Sequence, residues 1–186
     1  MPTLHQINSN LKNFKMKKII LTLLTVTLFV LTSCNTNKVA TLTDQDKTII
    51  KTEVQAVLKQ IVESSEARNF EKATEPYADI PEFIAISNGV ITGYADFIKS
   101  NKDFFDALDH QKYTETDLMF TFIDKKNVIL TYGGSALVTM KNLQQIKVDP
   151  FAATLVFTKI DDSWKVIYSS ETAIFIPIVE DSTIIK

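Results

Sequence analysis

The sequence predicts an α+β fold, in which three N-terminal helices pack on the concave face of a strongly curved antiparallel sheet. Two observations predict it. Apolar residues between positions 43 and 108 recur mainly with helical spacing, whereas from Tyr113 onward they alternate with a period of two. Short polar turns separate the strand-like segments, so consecutive strands can pair antiparallel. At 186 residues, with 45% hydrophobic and 10% aromatic positions, the chain can build one globular core.

Residues 1–33 have the pattern of an export signal. A basic start at residues 16–18 precedes residues 19–31, thirteen positions that hold only Ile, Leu, Val, Phe and Thr. A helix of that length rises roughly 20 Å, short of the ~30 Å hydrocarbon core of a bilayer, so a signal peptide fits better than a membrane span. Because such signals open with basic residues, we expect translation to start at Met16; otherwise residues 1–15 extend the basic region.

The signal ends at the single cysteine of the chain. Leu31-Thr32-Ser33-Cys34 resembles the lipobox of bacterial lipoproteins, which implies that Cys34 is lipidated on its sulfur, becomes the new N-terminus and is acylated there. An exported protein with one cysteine has no partner for an internal disulfide. We therefore predict a lipoprotein anchored to the inner or the outer membrane of a bacterial cell envelope. Residues 34–42 would be the lipidated cysteine and a flexible polar tether.

The charge distribution argues against nucleic acid as a partner. The formal charge of −2 becomes −6 once residues 1–33, which carry four lysines and no acid, are removed. The remaining body contains one arginine, Arg68. Because a phosphate-binding surface needs clustered basic residues, we expect no nucleic-acid binding.

Residues 43–186 should form one domain that begins with helices. Thr43 and Asp46 have the spacing of a capping box. One face of the helix that follows carries Ile50, Val54, Val57, Leu58 and Ile61. Asn69 can cap a second, shorter helix that runs to about Tyr77, and a third helix with a bulky apolar face is expected from Tyr94 to about Leu108.

The strands fall mostly in the second half of the domain. A short apolar run at 82–86 ends at the turn signal Ser87-Asn88-Gly89. The main strands are expected at about 113–124, 127–141, 150–160 and 163–176. Gly133-Gly134 lies inside one of them, where we expect a bulge or bend that curls the sheet.

Three blocks of residues, taken in order, carry a family resemblance. They are Glu66-Ala67-Arg68-Asn69-Phe70 with Tyr77-Ala78-Asp79, then Asn88-Gly89-Val90-Ile91-Thr92-Gly93-Tyr94 with Phe97, then Asp161-Asp162-Ser163-Trp164-Lys165-Val166-Ile167-Tyr168. Together they resemble the SnoaL-like and ketosteroid-isomerase-like branch of the nuclear-transport-factor-2-like superfamily, over about residues 45–175. The resemblance implies a cone-shaped fold that encloses a mostly apolar pocket. Such pockets serve isomerases, cyclases and dehydratases but also ligand binding and dimerisation, so the fold does not fix the function.

The sequence departs from that family at the positions where relatives carry catalytic groups. Many relatives have histidines in the closing strand, in a pattern Trp-x-x-x-His-x-His-x-Ser, where this chain has Tyr168, Ser170 and Thr172. The pocket aspartate of ketosteroid isomerases also has no clear counterpart. The resemblance therefore implies the fold more strongly than an acid–base mechanism.

Few other groups suit metal or cofactor chemistry. His110 follows the third helix in a polar stretch, where we expect an exposed loop. One histidine and one cysteine in the predicted mature chain do not make a zinc site, and four glycines offer no phosphate-binding loop. We expect no cofactor and no metal.

Asp117 and Glu171 are the weak candidates for catalysis. A carboxyl group that faced an apolar cavity would have a raised pKa and would suit proton transfer. Strand alternation puts Glu171 on the face opposite to Trp164 and Tyr168, and Asp117 stands near a strand end, so we expect both on the solvated surface.

Tyr77, Tyr94, Phe97, Tyr132 and Tyr168 are the expected pocket lining. A tyrosine offers a broad apolar ring and one hydrogen-bonding tip, which suits the orientation of a small ligand. The alternative is that these tyrosines lie at core edges with their hydroxyls in water.

These observations predict a lipoprotein whose domain binds a small apolar or amphipathic molecule, with no catalysis evident. Two alternatives stay open: an isomerase- or dehydratase-type enzyme that uses a pocket carboxylate and a tyrosine, and a protein-interaction module that works as a homodimer. A buried carboxylate beside a tyrosine hydroxyl would favour the enzyme, and a fully packed interior the interaction module.

Overall fold

The computed structural model describes residues 41–179. In chain order the elements are α1 (Asp44–Glu66), α2 (Phe70–Thr74), β1 (Ile84–Ser87), β2 (Val90–Thr92), α3 (Tyr94–Ala107), β3 (Leu108–Phe122), β4 (Asn127–Met140), β5 (Gln145–Ile160) and β6 (Ser163–Ile178). The predicted export signal and Cys34 lie outside the described residues, as does most of the predicted tether.

The start of α1 confirms the predicted capping box. The Asp46 amide donates to the Thr43 hydroxyl oxygen at 3.1 Å, and the Thr43 amide donates to the Asp46 carboxylate at 3.0 Å. Bonds to the Asp46 carboxylate from the Thr43 amide, from Lys125 and from the Thr43 hydroxyl lower the pKa of Asp46 to about 2. Ile50, Val54 and Leu58 on the predicted apolar face are buried against the sheet. The local capping signal and the helical periodicity therefore agree, and α1 covers the sheet with one stripe.

The sheet has six strands in the order β2-β1-β6-β5-β4-β3. Its four long strands pair antiparallel through short turns, as predicted. β1, however, lies parallel to β6, so the sheet is mixed rather than purely antiparallel. A parallel pair needs a long connection, and here every element from β2 to β5 lies between the two strands in sequence.

Two strands begin earlier than the period-two pattern predicts. β3 starts at Leu108 directly after α3, and β5 starts at Gln145. The first residues of β3 are mostly polar, with Leu108 and Gln111 buried and Asp109, His110 and Lys112 exposed. His110 is therefore exposed, as expected, but it belongs to a strand and not to a loop.

Gly133-Gly134 marks a bend of the sheet, as predicted. The β3–β4 register shifts between Glu115 and Asp117, opposite these glycines, and the β4–β5 register shifts between Gly134 and Ala136. A Cβ atom at Gly134 would overlap the backbone carbonyl oxygen of Thr114. Close approach of two backbones thus explains why glycine stands inside this strand.

The buried core forms two clusters. The first joins α1 to the sheet and includes Val54, Leu130, Phe157 and Val166, all fully buried. The second comprises Leu108, Ala136, Val138 and Val148. Both clusters lie within the described residues 41–179, so the domain has the core that it needs to fold without residues 1–40. Among residues 41–179, no helix is long and apolar enough to cross a membrane.

Candidate functional site

A cavity of about 420 Å³ lies between the helices and the sheet. Both core clusters contribute to its wall, since Leu58 and Leu155 of the first cluster line it together with Val138 and Val148 of the second. Its aromatic lining includes Tyr77, Phe97, Tyr113, Tyr132 and Phe151. The size is that of a site for a small organic molecule, and the wall is mostly apolar.

Glu171 on β6 is the one charged residue among the described residues that line the cavity. The prediction that Glu171 lies on the solvated outer face is wrong, because β6 contains a bulge. Phe157 pairs with Val166 and Val156 pairs with Tyr168, so Ile167 is an extra residue that reverses the alternation. Beyond the bulge Ser169 and Glu171 line the cavity.

The same bulge removes Tyr168 from the cavity. Tyr168 was expected to line the pocket, but it lies on the opposite face of β6 to Glu171 and is not part of the cavity wall. Ser170 and Thr172 lie on the same face of β6 as Tyr168 and are also absent from the cavity wall. The positions at which many relatives carry histidines therefore lie outside this cavity.

The carboxyl group of Glu171 is poorly solvated. Burial raises the pKa of Glu171 above its ordinary value, and hydrogen bonding by the Ser169 hydroxyl only partly opposes this shift. Burial, and then the negative charge of Glu171, raise the pKa of both Tyr77 and Tyr113. Both phenols therefore stay neutral at physiological pH, close enough to Glu171 to feel its charge.

Gln111 and Tyr113 are held in place by the end of α1. The side-chain NH2 group of Gln111 donates to the backbone carbonyl oxygen of Ser65 at 3.0 Å. The Tyr113 hydroxyl donates to the side-chain oxygen of Gln111 at 3.3 Å. The Tyr113 amide and Lys112 both donate to the Glu66 carboxylate, at 2.9 and 2.6 Å. Burial alone would raise the pKa of Glu66, but these two bonds outweigh it and lower the pKa. Gln111 is 4% exposed, so its polar group is fixed inside the site.

The opposite wall is fixed by Tyr77 and Asn88. Tyr77 follows α2 and bridges to Val166 of β6, and its ring lies 4.7 Å from that of Phe97. Asn88 and Gly89 both have positive φ, as a tight β1–β2 hairpin turn requires. The backbone amide of Asn88 donates to the backbone carbonyl oxygen of Glu171 at 3.1 Å. The side-chain oxygen of Asn88 accepts from the backbone amide of Ala173 at 3.0 Å. The turn therefore holds β6 at Glu171 itself and at Ala173, two residues further along the strand.

The structure brings together only part of the predicted lining. Tyr77, Phe97 and Tyr132 line the cavity. Tyr94 does not; its ring packs edge-on against that of Phe83, at 5.6 Å. Asp117 is exposed and pairs across from Gly133, away from the cavity, so it is not a candidate for pocket chemistry.

Gln111 and Tyr113 were missed as cavity residues. Alternation counted back from Tyr113 puts Gln111 on the same face, but the polar start of β3 and the register shift between Leu108 and His110 concealed this signal. Within residues 41–179, no group of three or more His, Cys, Asp or Glu side chains could hold a metal ion.

The arrangement suits recognition of a small molecule and, in principle, movement of one proton. Aromatic and aliphatic walls can bind an apolar body, while Gln111, the tyrosine hydroxyls and Glu171 supply directional contacts. A buried carboxyl group with a raised pKa is better suited to proton transfer than an ordinary surface carboxylate.

Solved structures with the same fold include enzymes and proteins without an assigned function. A hexachlorocyclohexane dehydrochlorinase, LinA-type3 from Novosphingobium barchaimii LL02, has a TM-score of 0.63 at 13% identity, over 77% of this chain and 100% of that one. A candidate scytalone dehydratase from Novosphingobium aromaticivorans DSM 12444 has a TM-score of 0.65 at 6% identity, over 74% and 93% of the two chains. A Mycobacterium tuberculosis protein of unknown function has a TM-score of 0.60 at 11% identity, over 72% and 77%. At these identities the likeness concerns the fold, and it confirms the predicted fold class.

The family comparison agrees with the structural one. The family model described as the SnoaL-like domain matches residues 54–174, which include every cavity residue named above. Among curated proteins, none matches this sequence.

Proposed function

The chain belongs to the SnoaL-like domain family, and from that premise we propose that its domain binds a small, largely apolar molecule in the cavity. We further propose that a lipid on Cys34 anchors the domain to a membrane of the bacterial cell envelope. The observation that carries the first proposal is the cavity of about 420 Å³, whose mostly apolar wall includes one carboxylate, three tyrosines and the buried Gln111.

The wall supports binding because contacts within the domain fix the position of its polar groups. Gln111 and Tyr113 are tied to α1, and Tyr77 and Asn88 are tied to β6. A site whose polar groups are already oriented loses little conformational entropy on binding. The domain contains this cavity instead of the fully packed interior that would have favoured an interaction module.

Native mass spectrometry tests the binding proposal. Residues 35–186, purified and incubated with a lipid and metabolite extract of the producing bacterium, should retain one molecule per domain. A spectrum that shows only the bare chain after this incubation would contradict the proposal. The homodimer stays a prediction, and the same spectrum measures it.

Membrane fractionation tests the anchor. In the full chain, Cys34→Ala removes the sulfur that would be lipidated. The processed protein should therefore be lost from the membrane fraction, and a soluble or unprocessed form should accumulate instead. Asn37→Ala, in the predicted tether, is the matched control and should stay with the membrane. Unchanged fractionation of the Cys34 variant would refute the lipoprotein proposal.

A second candidate is an enzyme of the dehydratase or dehydrochlorinase kind, and Glu171 is the observation that favours it. Two structural neighbours carry such names, and here a carboxyl group with a raised pKa lies near two neutral tyrosines. In an elimination, ionised Glu171 would take a proton from carbon, the C–H electrons would form a double bond, and the leaving group would depart with its own bonding pair.

Hexachlorocyclohexane and scytalone are direct probes for this candidate. If the domain catalyses elimination, Glu171→Gln should lower turnover by about a hundredfold or more, while Asp117→Asn, an exposed carboxylate on β3, should not change it. Absence of turnover of both probes, or equal turnover by Glu171→Gln, would leave ligand binding as the better account.

A further inference from the structure

We propose that the ligand carries a positively charged amine, whose ammonium group binds between the Glu171 carboxylate and the aromatic rings of the cavity. This inference rests on the proposed ligand-binding function and names the chemical class of the ligand. It depends on the charge and the aromatic lining of the site.

The cavity contains a negative group without a positive one. Glu171 is the one acid among the described lining residues, and no lysine, arginine or histidine is among them. The ion pairs formed within residues 41–179 do not include Glu171. A carboxylate that lacks both full hydration and a counter-charge is unfavourable, and an ammonium ion supplies the missing charge together with hydrogen-bond donors.

Aromatic rings line the same cavity as this carboxylate. The Tyr77 ring lies 4.7 Å from that of Phe97, and the Phe151 ring lies 6.4 Å from that of Tyr113 and 5.9 Å from that of Tyr132, measured between ring centroids. The negative faces of such rings attract a cation, and the attraction is strongest where the cation is partly desolvated. A carboxylate in an aromatic enclosure is a combination that proteins use to recognise amines.

The hydroxyl and amide groups of the wall are compatible with the same ligand. The Tyr77 and Tyr113 phenols are neutral, because burial and Glu171 raise their pKa values, so they add no second negative charge. Their oxygens and that of Ser169 can accept hydrogen bonds from an ammonium group. An anionic ligand would instead meet Glu171 with no basic residue of the described wall to offset the repulsion.

A matched set of three probes tests the inference. Phenylpropylamine, phenylpropanol and phenylpropionate share one apolar skeleton and differ in the charge of the head group. We expect residues 35–186 to bind the amine about tenfold or more tightly than the alcohol at neutral pH, since hydrogen bonds to charged groups contribute more than those to neutral groups. The acid should bind most weakly. Calorimetric titration measures all three.

Two variants separate the role of Glu171 from a general effect of charge. In Glu171→Gln the preference for the amine over the alcohol should collapse, whereas in Asp117→Asn it should persist, because Asp117 is exposed outside the cavity. Equal binding of amine and alcohol, or an amine preference that survives in Glu171→Gln, would overturn the inference and leave the ligand-binding proposal intact. If none of the three compounds binds, the inference is also overturned. The native mass spectrum described above then tests the proposed ligand binding independently.

Discussion

Glu171 is a residue that the fold keeps at a cost in stability. Burial raises its pKa in the folded domain, whereas in the unfolded chain the carboxyl group titrates near its ordinary value of 4.5. Between these two pKa values the folded state binds more protons than the unfolded state, so the free energy of unfolding falls as the pH rises through that interval. Above the raised pKa the loss is complete and constant.

Glu171→Gln should therefore stabilise the domain at neutral pH. Glutamine keeps the size and polarity of the side chain without a charge to desolvate, so the gain should disappear below the ordinary carboxyl pKa of 4.5, where Glu171 is protonated in both states. Urea unfolding at a series of pH values measures it, with the exposed Asp117→Asn as control. A gain of equal size at every pH would show that the charge of Glu171 is not its source.

Gly134 is a second residue whose identity the backbone dictates. A Cβ at this position would overlap the Thr114 carbonyl oxygen, whereas at Gly133 it would lie 3.3 Å from the Asp117 Cβ, a tighter than usual contact with an exposed side chain. Gly134→Ala should lower the free energy of unfolding by about 2 kcal/mol or more, because two backbones must move apart. Gly133→Ala should cost less. Thermal unfolding compares the two, and equal losses would contradict the close-approach argument.

At the scale of elements, period and turn chemistry predicted much of the fold, while irregular backbone limited the prediction of the site. The capping box at Thr43, the turn at Asn88-Gly89 and the glycine bend depend on local residue preferences, and each was predicted correctly. The bulge at Ile167 has no local signature, because it arises from the register that β6 adopts on β5. One extra residue exchanges the two faces of a strand. Strict alternation therefore placed Tyr168 inside and Glu171 outside.

The β1–β2 hairpin is the element that fixes β6 at the site. Asn88→Gly keeps the positive φ of the turn but removes the side-chain acceptor of the Ala173 amide, so hydrogen exchange at Ala173 should accelerate roughly five- to tenfold, the effect of losing about 1 kcal/mol. Asn142→Gly is the matched control, since the Asn142 side chain accepts only from Gln144 of its own turn. Unchanged exchange at Ala173 in Asn88→Gly would show that the turn does not hold β6.

At the scale of the whole molecule, the domain leaves a space where its two core clusters could have met. Close packing is the usual state of a protein interior, and contacts absent across a cavity are stabilisation that the folded state does not gain. Neither periodicity nor composition predicts a cavity. Periodicity indicates which residues face inward, and composition indicates how many are apolar, but neither indicates how far apart the opposite walls lie. The family resemblance was the source of the expectation of a pocket.

Ala153 and its neighbour Ala152 allow the cavity to be filled selectively. Ala153 is 5% exposed and lines the cavity, while Ala152 is exposed and points away from it. Ala153→Leu should bury new apolar surface in existing space, raising the free energy of unfolding by about 1 kcal/mol, and should abolish retention of a ligand. Ala152→Leu adds the same side chain outside and should change neither quantity. A loss of stability in Ala153→Leu would show that no free space lies beside Ala153. A gain of stability with the ligand still retained would show that the ligand does not occupy this cavity.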